Sequence, residues 1–385
     1  MTPSETISLT VDQGEDDAGL KLKLRRFKPA SGSAPRGAVL LLHGGNSAGD
    51  TFLLPNGGLT AFLTQDGFDV WILDWRTSPH VVNPFIEGTR WLGGSPQRER
   101  ELFALDHAAE TDIPKALEEI RRHVPDAELG VVGHCMGGGA ASIAIATGKL
   151  APFRVKNVVL STLGLFYEVP WNGWVKAEDF IVERIPQENP ECRGVDPRTP
   201  GRWPRAMTEA FGYWPRGWLP GGTSPAALML QRLTFMFGQP YDARRLDPAI
   251  SERELLAQFG AMHVGLFLHA AELVRRGYAA KLGAPDVIDR PRVCANDCDH
   301  TRNGEGPVSD HYLIPRHFHE HRITLLNATD NQLWHRDAID LMHDWLRDHG
   351  VRSEKRNYAG YRIQELFWGA RAKRDVYPDI RNALL

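Results

Sequence analysis

The segment richest in chemistry is Val131-Val-Gly-His-Cys-Met-Gly-Gly-Gly139. Glycines stand two residues before and two residues after Cys135, the spacing that seats a nucleophile on a tight strand-to-helix turn. Such a turn strains the backbone at the nucleophile, and Gly133 and Gly137 remove the side chains that would collide there. The following helix aims its N-terminus at Cys135, which favours a thiolate. The N–H of Met136 is placed to hold an oxyanion. A thiolate attacks acyl carbonyls, so the chemistry expected of Cys135 is acyl transfer. A buried cysteine in a glycine-rich turn would share the same short motif. The earlier segment Leu40-Leu-Leu-His-Gly-Gly-Asn46 ends an apolar run. A strand running into His-Gly-Gly is where a second oxyanion donor belongs, here the N–H of Gly45 or Asn46, with His43 as an anchor of the loop.

These groups need a sheet to position them. Gly37–Leu42, Phe68–Trp75, Glu128–Val132 and Val155–Ser161 read as strands buried on both faces, because their apolar runs are nearly continuous. Ile7–Val11 and Leu20–Phe27 read as two earlier strands, the second alternating apolar and polar residues, with a turn at Gly14–Gly19. Helical stretches fall between them at Leu59–Gln65, Phe103–His123 and Ala140–Ala146. Alternation of strand and helix argues for a mostly parallel sheet with helices on both faces. The alternation stops near Leu165. Residues 166–290 are rich in Trp, Pro and helix-like segments, Arg253–Arg276 among them, and read as a helical insertion between two parts of one core, 1–165 and 291–385. Its aromatics suit core packing or an apolar wall facing a ligand. Strand pattern returns at Arg322–Asn327, followed by a helix over Arg336–His349, a strand near Lys355–Tyr358 and a helix over Ala370–Leu384.

The chain has 385 residues, of which 42% are hydrophobic and 24% charged, a composition that excludes a mainly disordered protein. Its formal net charge of −3 makes electrostatic capture of nucleic acid a poor expectation. No apolar run is long enough for a membrane span, and Met1–Asp16 is polar and acidic rather than a signal peptide. Four cysteines are too few for a disulfide framework, so a reducing, cytoplasmic setting is expected.

The chain resembles the α/β-hydrolase superfamily, and more narrowly the hydrolase regions of cholesterol-oxidase-like (GMC) fusion proteins, in the stretches LLHGGNSAGDTF, GFDVWILDWRTSP, VVGHCMGGG, DHYLIPRHF, ITLLNATDNQLW and GARAKRDVYPDI. Its cysteine and the LDW strand end are similar to polyhydroxyalkanoate synthases. The resemblance implies an α/β-hydrolase fold: a mostly parallel eight-stranded sheet flanked by helices, with a helical cap over its carboxyl edge. It matches Cys135 to the nucleophile and Asp330 to the acid, with Asp74 as the alternative. The family's histidine is absent from its usual loop, because Ile363 stands where that residue belongs and no histidine follows His349. A base must then come from elsewhere. His335, five residues past Asp330, is the best-placed candidate, ahead of His311, His317 and His319. Without a base, water cannot readily remove an acyl group from the sulfur. Three outcomes therefore stay open: hydrolysis with a relocated histidine, acyl transfer through a Cys135 thioester, and a ligand-binding member without turnover. The expected partner is a small acyl compound with an apolar part (an ester, lactone or thioester).

Cys294-Ala-Asn-Asp-Cys-Asp-His300 offers two thiols and an imidazole, with His311 as a fourth zinc ligand. The Cys-x3-Cys spacing is not diagnostic, and a polar loop is the expectation, with no metal and no organic cofactor. His317, His319 and His321 alternate, which on an extended segment would put them on one solvated side.

Overall fold

Phe68–Asp74 is buried at every one of its positions, and Leu129–His134 likewise. Strands without a polar face need cover on both sides, and that dictates the architecture. The computed structural model describes residues 1–11, 20–81, 101–178, 194–198, 224–284 and 311–385. Its strands are β1 (Glu5–Thr10), β2 (Lys21–Phe27), β3 (Gly37–Leu42), β4 (Phe68–Asp74), β5 (Leu129–His134), β6 (Val155–Ser161), β7 (Gly194–Val195), β8 (Met262–His263), β9 (Arg322–Ala328) and β10 (Ser353–Tyr358). Eight of them form one sheet in the order β1-β2-β4-β3-β5-β6-β9-β10. β1 and β2 run antiparallel to their neighbours and all other pairs are parallel. The short β7 and β8 pair with each other outside this sheet.

The main helices are α1 (Gly58–Gln65), α2 (Ile113–His123), α3 (Met136–Ala146), α4 (Trp171–Glu178), α5 (Pro225–Met236), α6 (Glu252–Gln258), α7 (Val264–Arg276), α8 (Asp337–Asp348) and α9 (Tyr377–Leu384). α2 buries Ile113, Ala116, Leu117 and Ile120, a single stripe at helical spacing. α3 is buried at all of its residues, which its run of Gly and Ala permits beneath the sheet's carboxyl ends. α4 to α7 all lie between β6 and β9 in the sequence. The Ser251–Glu254 capping box starts α6, and Ser224 caps α5 through the N–H of Ala227.

Three sequence expectations change in detail. The helix expected over Phe103–His123 is interrupted by a π-turn at Ala108–Asp112. Pro114, two residues past Asp112, has no N–H to donate to the carbonyl four residues earlier, so the regular ladder cannot run through that point. The C-terminal helix breaks between Ala372–Asp375 and α9. His317 and His319 lie in a tight 3-10 turn, Arg316–Glu320, rather than on an extended segment, and His317 pairs with Glu320 at 2.9 Å. The turn at Gly14–Gly19 and the Cys294, Cys298 and His300 segment lie outside the described residues.

Buried ion pairs lock the sheet to its helices. Arg76 donates from its backbone and its guanidinium to Asp112, with both side chains out of solvent. Arg25 of β2 meets Asp74 at the end of β4 at 2.9 Å and also pairs with Asp50. No helix among the described residues is long and apolar enough to cross a membrane.

Candidate active site

β5 ends at His134, and α3 begins two residues later. Between them Cys135 sits at φ 55° and ψ −129°, a region that L-residues avoid unless their surroundings hold them. Glycine makes this possible. A Cβ on Gly133 would stand 2.7 Å from the Gly137 carbonyl oxygen, and one on Gly137 would stand 2.5 Å from that of His43. The turn therefore packs backbone against backbone, and the loop after β3 lies directly on it. Gly44 is close enough that a Cβ there would approach Cys135 Sγ to 3.5 Å.

Cys135 is 7% exposed. Burial pushes its thiol up from the usual value, against hydrogen bonds from Trp334 and from the backbone N–H groups of Met136 and Gly45, which favour the thiolate. Both N–H groups thus lie within reach of the sulfur. Asn46 also lines the adjoining cavity, and its amide nitrogen and oxygen are both buried without a hydrogen-bond partner among the described residues.

The third donor is the residue that sequence reasoning missed. Trp334 Nε1 donates to Cys135 Sγ at 3.2 Å. No described histidine hydrogen-bonds this sulfur. The indole is 8% exposed and stands edge-on to Tyr167, with ring centroids 5.6 Å apart. The turn after β9 aims it there: Asn331 Oδ1 accepts from the N–H groups of Leu333 and Trp334, and the N–H of His335 donates to Glu168. His335, the expected base, therefore turns outward. Its side chain is 45% exposed and lies 3.2 Å from Asp337.

Asp330 is also not brought to Cys135. Its carboxylate is exposed and meets Arg245 at 3.4 Å. Asp74, the alternative acid, is fully buried. Its burial alone would raise its pKa, but Arg25, His43, the Gly49 N–H and Ser78 hold its carboxyl below the usual range. His43 comes within 4.0 Å of it, and burial pulls this imidazole down to about 4, so it stays neutral. The His43 carbonyl accepts from Trp75 Nε1, which anchors the loop. His134 is likewise neutral, pulled down to about 3 by burial, with Nδ1 3.1 Å from Ser161 Oγ. His311, His317 and His319 have no hydrogen bond to Cys135 either, and Ile363 is fully buried in the core.

A cavity of about 150 Å³ opens beside Cys135. Gly44, Gly45, Asn46 and Met136 form its floor, and Val169, Met236, Phe237, Met262, Leu266, Phe267 and Trp334 form much of its wall. The wall is overwhelmingly apolar, and α4, α5 and α7 all contribute to it. Among the described residues no cluster of three metal-ligating side chains occurs.

The strand order, the antiparallel first strands and the strained turn after β5 together match one architecture. The chain has the α/β-hydrolase fold. A family profile described as the alpha/beta hydrolase fold matches residues 37–202. A thermostable carboxyl esterase from Bacillus coagulans superposes with a TM-score of 0.55 at 13% identity, covering 100% of this chain and 97% of that one. A monoglyceride lipase from Saccharomyces cerevisiae gives 0.53 at 16% identity, covering 100% and 96%. Human lipase member K is 30% identical over 131 residues, 32% of this chain and 30% of the relative. A poly(3-hydroxyalkanoate) polymerase subunit from Haloferax mediterranei is 24% identical over 170 residues, 44% of this chain and 26% of the relative. The matched part thus spans less than a third of either curated relative.

Proposed function

We propose that the chain binds an apolar acyl compound in this cavity and takes its acyl group onto Cys135 from an activated thioester, without hydrolysing it. The observation that carries this reading is the indole N–H on the sulfur. Trp can donate a hydrogen bond but cannot accept a proton, so Trp334 cannot act as the base that hydrolysis needs. Ester and amide donors also need an acid to protonate the leaving group. A thioester does not, because a thiolate leaves unaided at neutral pH. In this step Cys135 gives its proton to solvent and forms the new C–S bond. The donor's C–S bond breaks, and its thiolate takes up a proton. The carbonyl oxygen carries the transient charge, and the N–H groups of Gly45 and Met136 are available to it. The helices α4 to α7 act as a cap over the acyl chain. The curated relatives are named for a lipase and for a polymerase, and the site geometry favours transfer to an acceptor other than water.

A cavity of about 150 Å³ takes a body the size of benzene, so a short donor is the right probe. Incubation with the S-hexanoyl thioester of N-acetylcysteamine should give one hexanoyl adduct per chain by intact mass, absent in Cys135→Ser. Sustained release of hexanoate over many turnovers, or equal labelling of Cys135→Ser, would contradict the reading. The raised thiol pKa favours a second reading, in which the same compound binds without bond formation. Thermal stabilisation by the thioester with no adduct would select it.

A further inference from the structure

One charged side chain stands among the described residues that line the cavity. It is Lys176 on α4. It is 7% exposed, and no described carboxylate pairs with it. Its ammonium donates to the carbonyls of Phe235 and Met236, in the last turn of α5, and lies 5.6 Å from the Phe235 ring centroid. Two of its three N–H donors are thereby used and one is left. Burial draws its pKa down to about 8.

A buried cation without a counter-ion costs stability, and proteins retain such groups where they serve a ligand. Among the described residues the cavity offers little else that is polar apart from Asn46, Ser47, Gln364 and the groups around Cys135. The structure assigns Lys176 as an anion-binding point of the cavity, so we propose that the ligand is amphipathic, an apolar body ending in a carboxylate. The carbonyls of Phe235 and Met236 hold the ammonium in place, and the carboxylate accepts its remaining N–H. The inference shares with the proposed function only the use of this cavity as the ligand site, and it needs no reaction at Cys135.

The test compares hexanoate with 1-hexanol at pH 7 by calorimetry on the full chain, in wild type, Lys176→Met and Lys176→Arg. Hexanoate should bind wild type about tenfold more tightly than 1-hexanol, the effect of one charge-assisted hydrogen bond. Lys176→Met should bind the two within about twofold. Lys176→Arg should keep the preference for hexanoate. Equal binding of the two ligands by wild type, or a preference that survives in Lys176→Met, would overturn the assignment and leave the cavity as a ligand site. Binding of neither ligand would overturn both.

Discussion

Replacing Trp334 by Phe keeps an aromatic ring beside Cys135 and removes the N–H that donates to its sulfur at 3.2 Å. Both residues are nearly out of solvent, so water does not simply replace the bond. A hydrogen bond to a charged acceptor contributes roughly 1.5–3 kcal/mol, so its loss lowers the thiolate population about 10- to 100-fold at a fixed pH below the thiol's pKa. A more basic thiolate is also more nucleophilic, with a Brønsted slope of about 0.4–0.5, and this returns part of the loss. The net expectation is alkylation about 3- to 10-fold slower than wild type. The assay is the rate of iodoacetamide modification of Cys135, followed by intact mass between roughly pH 7 and 11.5 so that the raised midpoint is spanned, with Cys135→Ser as the blank. The smaller ring also opens access to the sulfur, so the decisive readout is the midpoint of the pH profile, which access does not move. That midpoint should shift upward in Trp334→Phe. An unchanged midpoint would refute the claim that the indole holds the thiolate form, whatever the absolute rate.

The turn that carries Cys135 can be tested by itself. In Gly137→Ala the new Cβ would stand 2.5 Å from the His43 carbonyl and 2.6 Å from that of Leu42, both backbone. The cost should be about 1–3 kcal/mol and appear as a lower melting temperature; an unchanged one would deny the close approach. Acid should weaken the fold through two neutral histidines, His134 held down at about 3 and His43 at about 4. The unfolded chain takes up protons near pH 6.5 and the folded one does not, so the stability present above pH 6.5 is lost as pH falls towards these values. Each should contribute about 2 kcal/mol of loss by pH 5 in urea unfolding, and His134→Gln should abolish its share. Arg76→Met leaves Asp112 buried without its counter-ion, with only the backbone N–H of position 76 still donating to it, and should cost about 3–5 kcal/mol. Arg122→Ala, which breaks an exposed pair with Glu118, should leave the urea midpoint unchanged.

The sheet was legible because its central strands are buried on both faces. GAVLLL coincides with β3, and Val155–Ser161 with β6. The turn at Cys135 was legible because only glycine fits where Gly133 and Gly137 lie. The surroundings of the sulfur were not. Trp334 and His335 are adjacent in an irregular turn, where no periodicity tells which side chain faces inward. The choice is made by Asn331 and by the carbonyl of Glu168, the latter more than 160 residues away in the sequence. Asp330 has the expected place after β9, yet its direction follows Arg245, which precedes α6. Contacts of this kind depend on tertiary packing and leave no local pattern. One signal was present: the candidate base at 335 has a large indole as its immediate neighbour, a side chain that normally seeks burial with its N–H partnered.

The outer strands of the sheet have a bearing on the protein's behaviour at high concentration. β10 closes one side of the sheet with the sequence SEKRNY, in which Glu354, Lys355 and Arg356 follow one another. Glu354 meets Arg322 at 3.3 Å, and Lys355 meets Asp340 at 2.8 Å. A second molecule adding its own strand here would have to desolvate this dense charge and disturb the pairs that anchor it. An open strand edge is otherwise a template for intermolecular pairing and fibrous growth. The charges of β10 therefore act as gatekeepers, letting a sheet whose interior strands are almost wholly apolar end within a single chain.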